Sequence, residues 1–219
     1  MTVKRYLFDS SLTATALITE VGDDGQPWVR LDETLMHPQG GGQKADRGTI
    51  NGFPVTHVAH VNGEINHYLD ENHKLQVGQQ ATITVDENWR LINSKLHTGG
   101  HLIAAIMEQL FPGLKAVGAH HWSGEARVEF VGENLPQSEL VQITLSDALK
   151  QAIQDNLPVS IIGDPITSRA IQIGAFPAVS CGGTHLENLG VLTQVKITAV
   201  KVKGGKLRLS YCIGDAATI

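Results

Sequence analysis

Hydrophobic and polar positions alternate with a period of two through much of the first ninety residues. Segments 13–21, 27–35 and 80–86 have this alternation, and turns rich in Gly, Asp and Asn separate such segments. Residues 62–63 are Asn-Gly, the strongest short signal for a β-hairpin. Several short strands at this spacing are typical of a barrel or a sandwich. The pattern predicts a small N-terminal β-barrel over residues 1–89.

The hydrophobic period lengthens to that of a helix near residue 90. Apolar residues on one stripe predict a helix over residues 94–111, which begins at Ser94. A second helix is predicted over residues 138–156. Predicted strands flank these helices, over residues 126–131, 159–163, 169–174, 194–202 and 206–213. The predicted fold class is therefore α+β, and the second domain, over residues 90–219, packs helices against a largely antiparallel sheet.

The composition narrows the class of protein. Of the 219 residues, 42% are apolar and 18% are charged, which is ordinary for a globular protein of one large or two small domains. Two cysteines are too few for a disulfide framework. The chain shows no signal peptide and no run of eighteen apolar residues, so we expect a soluble protein of the cytoplasm that does not contact membranes.

The charge distribution restricts how the protein can bind a nucleic acid. The net charge is −5, and basic residues are scattered except for a small cluster over residues 201–208. Nucleic-acid-binding domains usually carry a basic patch. The cluster alone is more typical of a solvated hairpin turn, and we expect any nucleic-acid contact to be local and modest.

Two short segments contain residue types that bind metal ions. His97 and His101 are four positions apart on the predicted helix, so both imidazoles lie on one face. Cys181 and His185 have the same spacing in SCGGTHLENLG, where two glycines allow a tight chain path. Three imidazoles and a thiolate suit tetrahedral Zn²⁺. Each pair alone is more typical of solvated histidines or a small buried cysteine. The two pairs together make a shared metal site as strong an interpretation as residues without a functional role.

The spacing does not decide whether such a zinc is structural or catalytic. Four protein ligands close a tetrahedral shell, whereas catalytic zinc sites usually keep one position for water. A catalytic role would need a fifth ligand or the exchange of one of the four. Both possibilities stay open from the sequence.

A glycine-rich stretch, HPQGGGQKADRGTING over residues 37–52, is the second unusual segment. Glycine amides can approach a ligand closely, and the side-chain amide of Gln43 can donate and accept hydrogen bonds. The alternative is a plain turn. Elsewhere in the chain, His120 and His121 are equally typical of a pocket lining and of residues without a functional role.

Three segments together resemble the editing domain of alanyl-tRNA synthetase and its freestanding AlaX-type relatives. They are HTGGHLIAAIMEQLF (97–111), RAIQIGAFPAVSCGGTHLENLGVLTQVKI (169–197) and HPQGGGQKADRGTI (37–50). The likeness spans residues 5–215, and a glycine loop in an N-terminal β domain resembles the medium-length freestanding form. The resemblance implies that the second domain has a two-layer α/β editing fold, of the type found as the second domain of threonyl- and alanyl-tRNA synthetases.

The resemblance also implies a metal, a partner and a reaction. One Zn²⁺ per chain would be bound by His97, His101, Cys181 and His185. The partner would be the acceptor end of tRNA(Ala) carrying a wrong amino acid, serine first and glycine second, and the reaction would be hydrolysis of that ester. The predicted catalytic residues are Gln43, Thr98 and Thr184. The predicted substrate-binding residues are Gly41, Gly42, Asp46, Gly182, Gly183, His120 and His121.

Two departures from the family pattern concern the pocket. Gly99 and Gly100 replace alanine-type residues, which is expected to widen the pocket. His120, His121 and Trp122 replace a stretch that carries a glutamine and a serine in the synthetase. Two other functions stay open: a zinc-dependent hydrolase of another small ester, amide or aminoacyl substrate, and a non-catalytic tRNA-binding module. The sequence does not predict the oligomeric state.

Overall fold

The structure, a computed structural model, describes residues 1–70 and 73–214. Its strands are β1 (Val3–Lys4), β2 (Thr13–Asp23), β3 (Pro27–Leu31), β4 (Glu33–Thr34), β5 (Gly48–Ile50), β6 (Phe53–Val61), β7 (Glu64–Leu69), β8 (Gln80–Val85), β9 (Lys115–His120), β10 (Arg127–Val131), β11 (Val159–Ile162), β12 (Ala170–Ile173), β13 (Val179–Ser180), β14 (Val195–Lys203) and β15 (Lys206–Ile213). Its helices are α1 (Glu87–Leu110) and α2 (Ser138–Gln154), with short 3₁₀ turns at Arg5–Leu7 and Leu189–Val191. The chain is a mixed α+β protein, as the sequence predicts.

Six strands of the first half form a closed barrel in the order β2-β3-β7-β6-β5-β8, because β8 pairs back with β2. Alternate residues of β8, namely Ala81, Ile83 and Val85, are buried, and the residues between them are exposed. The turn between β6 and β7 holds Asn62 and Gly63 at positive φ (52° and 84°), as the Asn-Gly signal predicts. The period-two alternation therefore becomes the inner and outer face of the barrel wall.

Both helices pack against a four-stranded antiparallel sheet in the second half, with the order β14-β15-β10-β9. A separate three-stranded sheet, β11-β12-β13, follows α2. One hydrophobic core joins these elements, with contributions such as Met107 from α1, Leu145 from α2 and Phe130 from β10. Among residues 1–70 and 73–214, no helix is both long and apolar enough to cross a membrane.

Helix α1 begins at Glu87, well before the start predicted at Ser94. Asp86 caps the helix, since its carboxylate accepts a hydrogen bond from the backbone N–H of Trp89 at 3.0 Å. The first turns carry buried polar residues such as Arg90, which face the barrel loop and not an apolar core. The hydrophobic stripe therefore begins only after them, which is why the periodicity placed the start too late.

The barrel and the second half have separate hydrophobic cores. The first contains buried residues between 6 and 85, and the second contains buried residues between 96 and 213. The predicted boundary between residues 89 and 90 lies inside α1, so the division into 1–89 and 90–219 stays a prediction. The last five residues of that second range lie outside the described residues.

A buried ion pair joins the barrel to α1. The guanidinium of Arg90 donates to both carboxylate oxygens of Asp46, with the shortest distance 2.5 Å, and to the backbone carbonyl of Leu35 at 2.6 Å. The same carboxylate accepts the backbone N–H of His37 at 2.6 Å. Because a buried charge without its partner costs several kcal/mol, this pair holds the glycine-rich segment firmly against the helix that carries His97.

Candidate metal centre

Four donor side chains from two distant segments meet at one place. Helix α1 presents His97 and His101 one turn apart, and the loop after β13 presents Cys181 and His185. One ligand atom of each residue lies within 4.8 Å of the others. The Sγ atom of Cys181 is 3.2 Å from Nε2 of His185 and 3.5 Å from Nε2 of His97. These are the four residues predicted from the sequence as metal ligands, and together they can hold a metal ion.

Two of the imidazoles are oriented by hydrogen bonds on their far side. Nδ1 of His97 donates to Oε1 of Gln43 at 2.7 Å, and Nδ1 of His185 is hydrogen-bonded to Oγ1 of Thr98 at 3.2 Å. Because Nδ1 of His97 carries the proton, its Nε2 lone pair faces the thiol of Cys181, and Nε2 of His185 lies next to the same sulfur. Supporting hydrogen bonds of this kind fix the tautomer and ring orientation of metal-binding histidines.

The electrostatics of the group suit a cation. Burial lowers the pKa of His97 and His185 well below the usual value and lowers the pKa of His101 to about 4. Burial also raises the pKa of the Cys181 thiol. Neutral imidazoles are the form that binds a metal ion, and a divalent cation compensates for the cost of a buried thiolate. Three nitrogens and one sulfur form a donor set that matches Zn²⁺.

Two glycines next to the centre are required by close packing. A Cβ on Gly183 would lie 2.1 Å from the ring of His97, and a Cβ on Gly100 would lie 2.2 Å from the ring of His121. A Cβ on Gly182 would meet nothing within 4 Å. The expectation that Gly100 widens the pocket is wrong, because the imidazole of His121 occupies the space that a side chain would take.

Gln43 connects the barrel to both ligand segments. The residue is fully buried, and its Oε1 also accepts the backbone N–H of Thr184 at 3.0 Å. Its Nε2 donates to Oγ1 of Thr184 at 2.8 Å, and that hydroxyl is 2.7 Å from Oγ of Ser94. A side chain of the glycine loop therefore holds the segment between Cys181 and His185 in place.

The three predicted catalytic residues all lie behind the ligands. Gln43, Thr98 and Thr184 are buried, and none of them lines the cavity beside the metal centre. Their hydrogen bonds go to His97, to His185 and to the backbone of the ligand loop. The geometry favours a positioning role for them over direct contact with a reacting group.

The tip of the glycine loop does line the cavity. Gly41 and Gly42 have φ of 56° and 78°, and the N–H of Gln43 donates to the carbonyl of Gly40 at 2.9 Å, which closes a tight turn. The carbonyl of Gly42 accepts the N–H of His121 at 2.9 Å. Within the described residues, nothing accepts a hydrogen bond from the N–H groups of Gly41 and Gly42. Two adjacent amide donors are therefore free at the cavity wall.

Asp46 was predicted to bind substrate, and the structure places it elsewhere. Its carboxylate is fully buried, is bound by Arg90 and does not line the cavity. The acidic residue of this segment instead anchors the loop that carries Gly41 and Gly42.

An open cavity of about 1140 Å³ lies beside the four donors. Its wall near the centre includes His97, His101, Cys181 and Gly182. The remainder is mostly small or apolar, including Ala104, Ala116, Ala119, Phe176 and Val179, together with the polar side chains of Glu108, Gln109, Lys115 and Ser180. The ligands therefore border a space large enough for a small organic substrate.

His121 and His120 have different environments. His121 lines the cavity and stacks on His97, with ring centroids 4.5 Å apart, and its Nδ1 donates to the hydroxyl of Tyr211 at 2.7 Å. That hydroxyl donates onward to the carbonyl of Leu96 at 2.7 Å. His120 does not line the cavity and packs on Trp122 instead. Of the two predicted residues, only His121 faces the space beside the ligands.

Sequence reasoning missed three supporting residues. Arg169 donates to the carbonyl of Cys181 and, at 2.8 Å, to the carbonyl of Leu7, so it ties the ligand loop to the N-terminal segment. Ser94 and Tyr211 bond to Thr184 and His121. Only Ser94 had a usable signal, because it lies one helical turn before His97 on the same face.

No family model matches the chain, whereas individual curated proteins do. The alanyl-tRNA editing protein AlaX-M of Pyrococcus horikoshii is 30% identical over 217 residues, which cover 95% of this chain and 96% of that protein. The chain belongs to the alanyl-tRNA editing protein family. The resemblance predicted from the glycine loop and the two ligand segments is thereby confirmed.

Other members of the alanyl-tRNA editing protein family are longer. The alanyl-tRNA editing protein Aarsd1 of Mus musculus is 30% identical over 207 residues, which cover 85% of this chain and 49% of that protein. The alanyl-tRNA editing protein AlaX-L of P. horikoshii is 29% identical over 211 residues, which cover 86% of this chain and 52% of that protein. The chain thus spans about half the length of these two relatives.

Proposed function

We propose that this protein is a trans-editing hydrolase that removes a wrong amino acid, serine first and glycine second, from the 3′ end of tRNA(Ala). The observation that carries the proposal is the meeting of His97, His101, Cys181 and His185 at the wall of an open cavity. The names of the three relatives described above, which are alanyl-tRNA editing proteins, support the substrate class.

The proposed metal is one Zn²⁺ per chain, held by the four donors. When bound, Zn²⁺ supplies Lewis acidity to the ester or to the attacking water. The chain's own contribution is to keep three imidazoles neutral, to orient two of them through Gln43 and Thr98, and to leave one side of the group open to the cavity.

The free amides of Gly41 and Gly42 are the proposed donors for the charge that develops on the ester oxygen. They line the cavity and have no acceptor within the described residues. Preorganised backbone donors of this kind are worth about 3–4 kcal/mol each in acyl transfer. The turn geometry holds them rigidly, because Gln43 is fixed from both sides.

The cavity can discriminate by hydrogen bonding to the amino acid. Nε2 of His121 has no hydrogen-bond partner within the described residues, and the ring lines the cavity. We propose that it contacts the polar groups of the bound seryl moiety. A site that must pair with a hydroxyl rejects the analogue without one by about 10⁴-fold or more, since its own polar atom would stay unpaired. Correctly aminoacylated alanyl-tRNA would then not be hydrolysed.

The remaining parts of the proposal concern architecture and location. Residues 1–89 would form the barrel domain, and residues 90–219 would form a two-layer editing domain of the kind found in threonyl- and alanyl-tRNA synthetases. The separate hydrophobic cores on either side of α1 support this division. The cytoplasm is the proposed compartment.

A deacylation assay tests the function. Seryl-, glycyl- and alanyl-tRNA(Ala) are incubated with the protein, with and without a chelator, and release of the amino acid is measured. Rapid hydrolysis of the seryl ester, slower hydrolysis of the glycyl ester, a stable alanyl ester and loss of activity with chelator are expected. Hydrolysis of a small serine ester alone would favour a general zinc hydrolase. Binding without turnover would favour a tRNA-binding module.

A further inference from the structure

Two tryptophans and two cations form a continuous surface next to the cavity. The guanidinium of Arg47 lies 3.7 Å from the ring centroid of Trp89. The ammonium of Lys44 lies between two rings, 5.5 Å from the centroid of Trp89 and 5.0 Å from that of Trp122. We call these four residues the tryptophan–cation surface. The rings are half-buried and Arg47 is exposed, so the surface is open to solvent.

The cations of this surface lack an acidic partner within the described part of the chain. Among residues 1–70 and 73–214, no carboxylate forms a salt bridge or hydrogen bond with Lys44 or Arg47. The basic cluster near the C-terminus differs, because Glu129 binds both Arg208, at 2.5 Å, and Lys206, at 3.4 Å. In a chain of net charge −5, the tryptophan–cation surface therefore offers unneutralised positive charge.

The surface continues directly from the cavity wall. Lys44 lies two positions after Gly42, and Trp122 directly follows His121; Gly42 and His121 both line the cavity. The hydrogen bond from the N–H of His121 to the carbonyl of Gly42, 2.9 Å long, holds the two segments together. A chain whose terminal group enters the cavity would therefore pass over these rings.

We propose that the tryptophan–cation surface binds the single-stranded 3′ end of tRNA, with a base stacked on Trp122 and phosphates near Lys44 and Arg47. This inference rests on the proposed function, which brings an RNA terminus to the cavity. Aromatic rings next to cations are the usual means of holding single-stranded nucleic acid, and they do not require a large basic patch. A local contact of this kind fits the acidic chain.

Binding of an RNA probe tests the surface directly. The probe is a 5′-labelled minihelix with the acceptor stem of tRNA(Ala) and no attached amino acid, made with or without its single-stranded 3′ overhang. Affinity is measured by fluorescence anisotropy at several salt concentrations. Trp122→Leu should weaken binding of the overhang form roughly ten-fold, whereas Trp122→Phe should stay within about three-fold, because each base stacked on a ring contributes appreciably. Equal losses for the two substitutions would overturn the stacking role.

The charge contribution has a matched control. Lys44→Gln should lower affinity and reduce the slope of log affinity against log salt by about 0.7. Lys150→Gln removes the same charge from an exposed position on α2 and should change neither quantity. An unchanged slope for Lys44→Gln, or an equal change for both variants, would overturn the phosphate contact. Thermal melting confirms that each variant is folded.

A pair of substrates separates this inference from the proposed function. Seryl-adenosine reaches only the cavity, whereas the seryl-minihelix also reaches the surface. The ratio of kcat/KM for the minihelix to that for seryl-adenosine should fall about ten-fold in Trp122→Leu, mainly through KM. If the wild-type protein hydrolyses neither substrate but the binding differences persist, the proposed function fails and the docking surface stands. If hydrolysis occurs and the ratio does not change, the surface is rejected and the function stands.

Discussion

Two buried histidines of this protein, His67 in the barrel and His97 in α1, show why burial alone does not mark a functional site. Both are at most 1% exposed. Nδ1 of His67 donates to the carbonyl of Val29 at 3.2 Å, and its Nε2 accepts from the hydroxyl of Thr34 at 2.8 Å. His97 has only Nδ1 engaged in this way, by Gln43, and its Nε2 faces Cys181.

Lowered basicity is common to both histidines and does not separate them. Burial lowers the pKa of His67 to about 4, and it lowers the pKa of His97 well below the usual value. What distinguishes His97 is a free lone pair that converges with three other donors on one point. A buried imidazole with both nitrogens hydrogen-bonded has a structural role, whereas one with a free lone pair directed at other donors is a candidate metal ligand.

Removal of one ligand should have the largest effect. Cys181→Ala takes away the sulfur donor and should reduce zinc affinity by well over 100-fold, with a matching loss of deacylation, because the remaining imidazoles no longer close the shell. Zinc content by mass spectrometry and hydrolysis of seryl-tRNA(Ala) are the measurements. Cys212→Ala, the matched cysteine control on β15, should keep both. Full zinc content in Cys181→Ala would refute the site.

The paired histidine of the barrel should contribute to a different property, the stability of the fold against acid. His67 titrates at about 4 when folded and near 6.5 when unfolded, so the unfolded chain binds its proton first as the pH falls. Its contribution is intact above pH 6.5 and is lost between pH 6.5 and 4, by about 3 kcal/mol. The unfolding free energy of His67→Gln, measured by urea titration, should fall less steeply over this window. If the unfolding free energies of the wild type and of His67→Gln change with pH in parallel, the lowered pKa of His67 is contradicted.

Loss of a supporting hydrogen bond should have an intermediate effect. Gln43→Leu removes the acceptor for Nδ1 of His97 and should weaken zinc binding by about 10- to 100-fold. Gln43→Glu keeps an acceptor oxygen and should recover much of the affinity. Competition with a fluorescent zinc chelator gives the values. His67→Gln should leave the zinc affinity unchanged, and an equal loss in His67→Gln would remove the contrast between the two histidines.

A substitution that disturbs the packing of His121 against α1 should have the smallest effect, a modest loss of stability. Gly100→Ala pushes a methyl group into the ring of His121 and should cost about 1–2 kcal/mol, after the gain in helix propensity is included. Gly99→Ala is the neighbouring control, since the tightest contact of its Cβ would be the terminal methyl of Ile213 at 3.0 Å, with Val195 and Tyr211 at ordinary contact distances of 3.6 and 3.7 Å. Its stability should stay within about 0.5 kcal/mol of wild type. Equal thermal melting temperatures for the two variants would be the contrary result.

The sequence predicted which helices and strands form better than it predicted where they begin and end or what they contact. The alternation in the strand that became β8 and the Asn-Gly turn were read correctly, because both signals are local. The start of α1 was placed too late, since Arg90 is buried by an ion pair with Asp46 that lies far away in the chain. Asp46 itself was assigned to substrate for the same reason: a carboxylate in a glycine-rich segment gives no local sign of a buried arginine partner.

The sequence by itself determined which donors exist and how each pair is spaced: two imidazoles one helical turn apart, and a thiol and an imidazole joined by small residues. It also determined membership of the alanyl-tRNA editing protein family. Only the tertiary structure decided that the two pairs meet, that Gln43 and Thr98 turn the rings toward a common point, and that His121 fills the space left by Gly100. The physical reason is range. Helix periodicity acts over a few residues, whereas ligand convergence depends on hydrogen bonds between segments more than fifty residues apart.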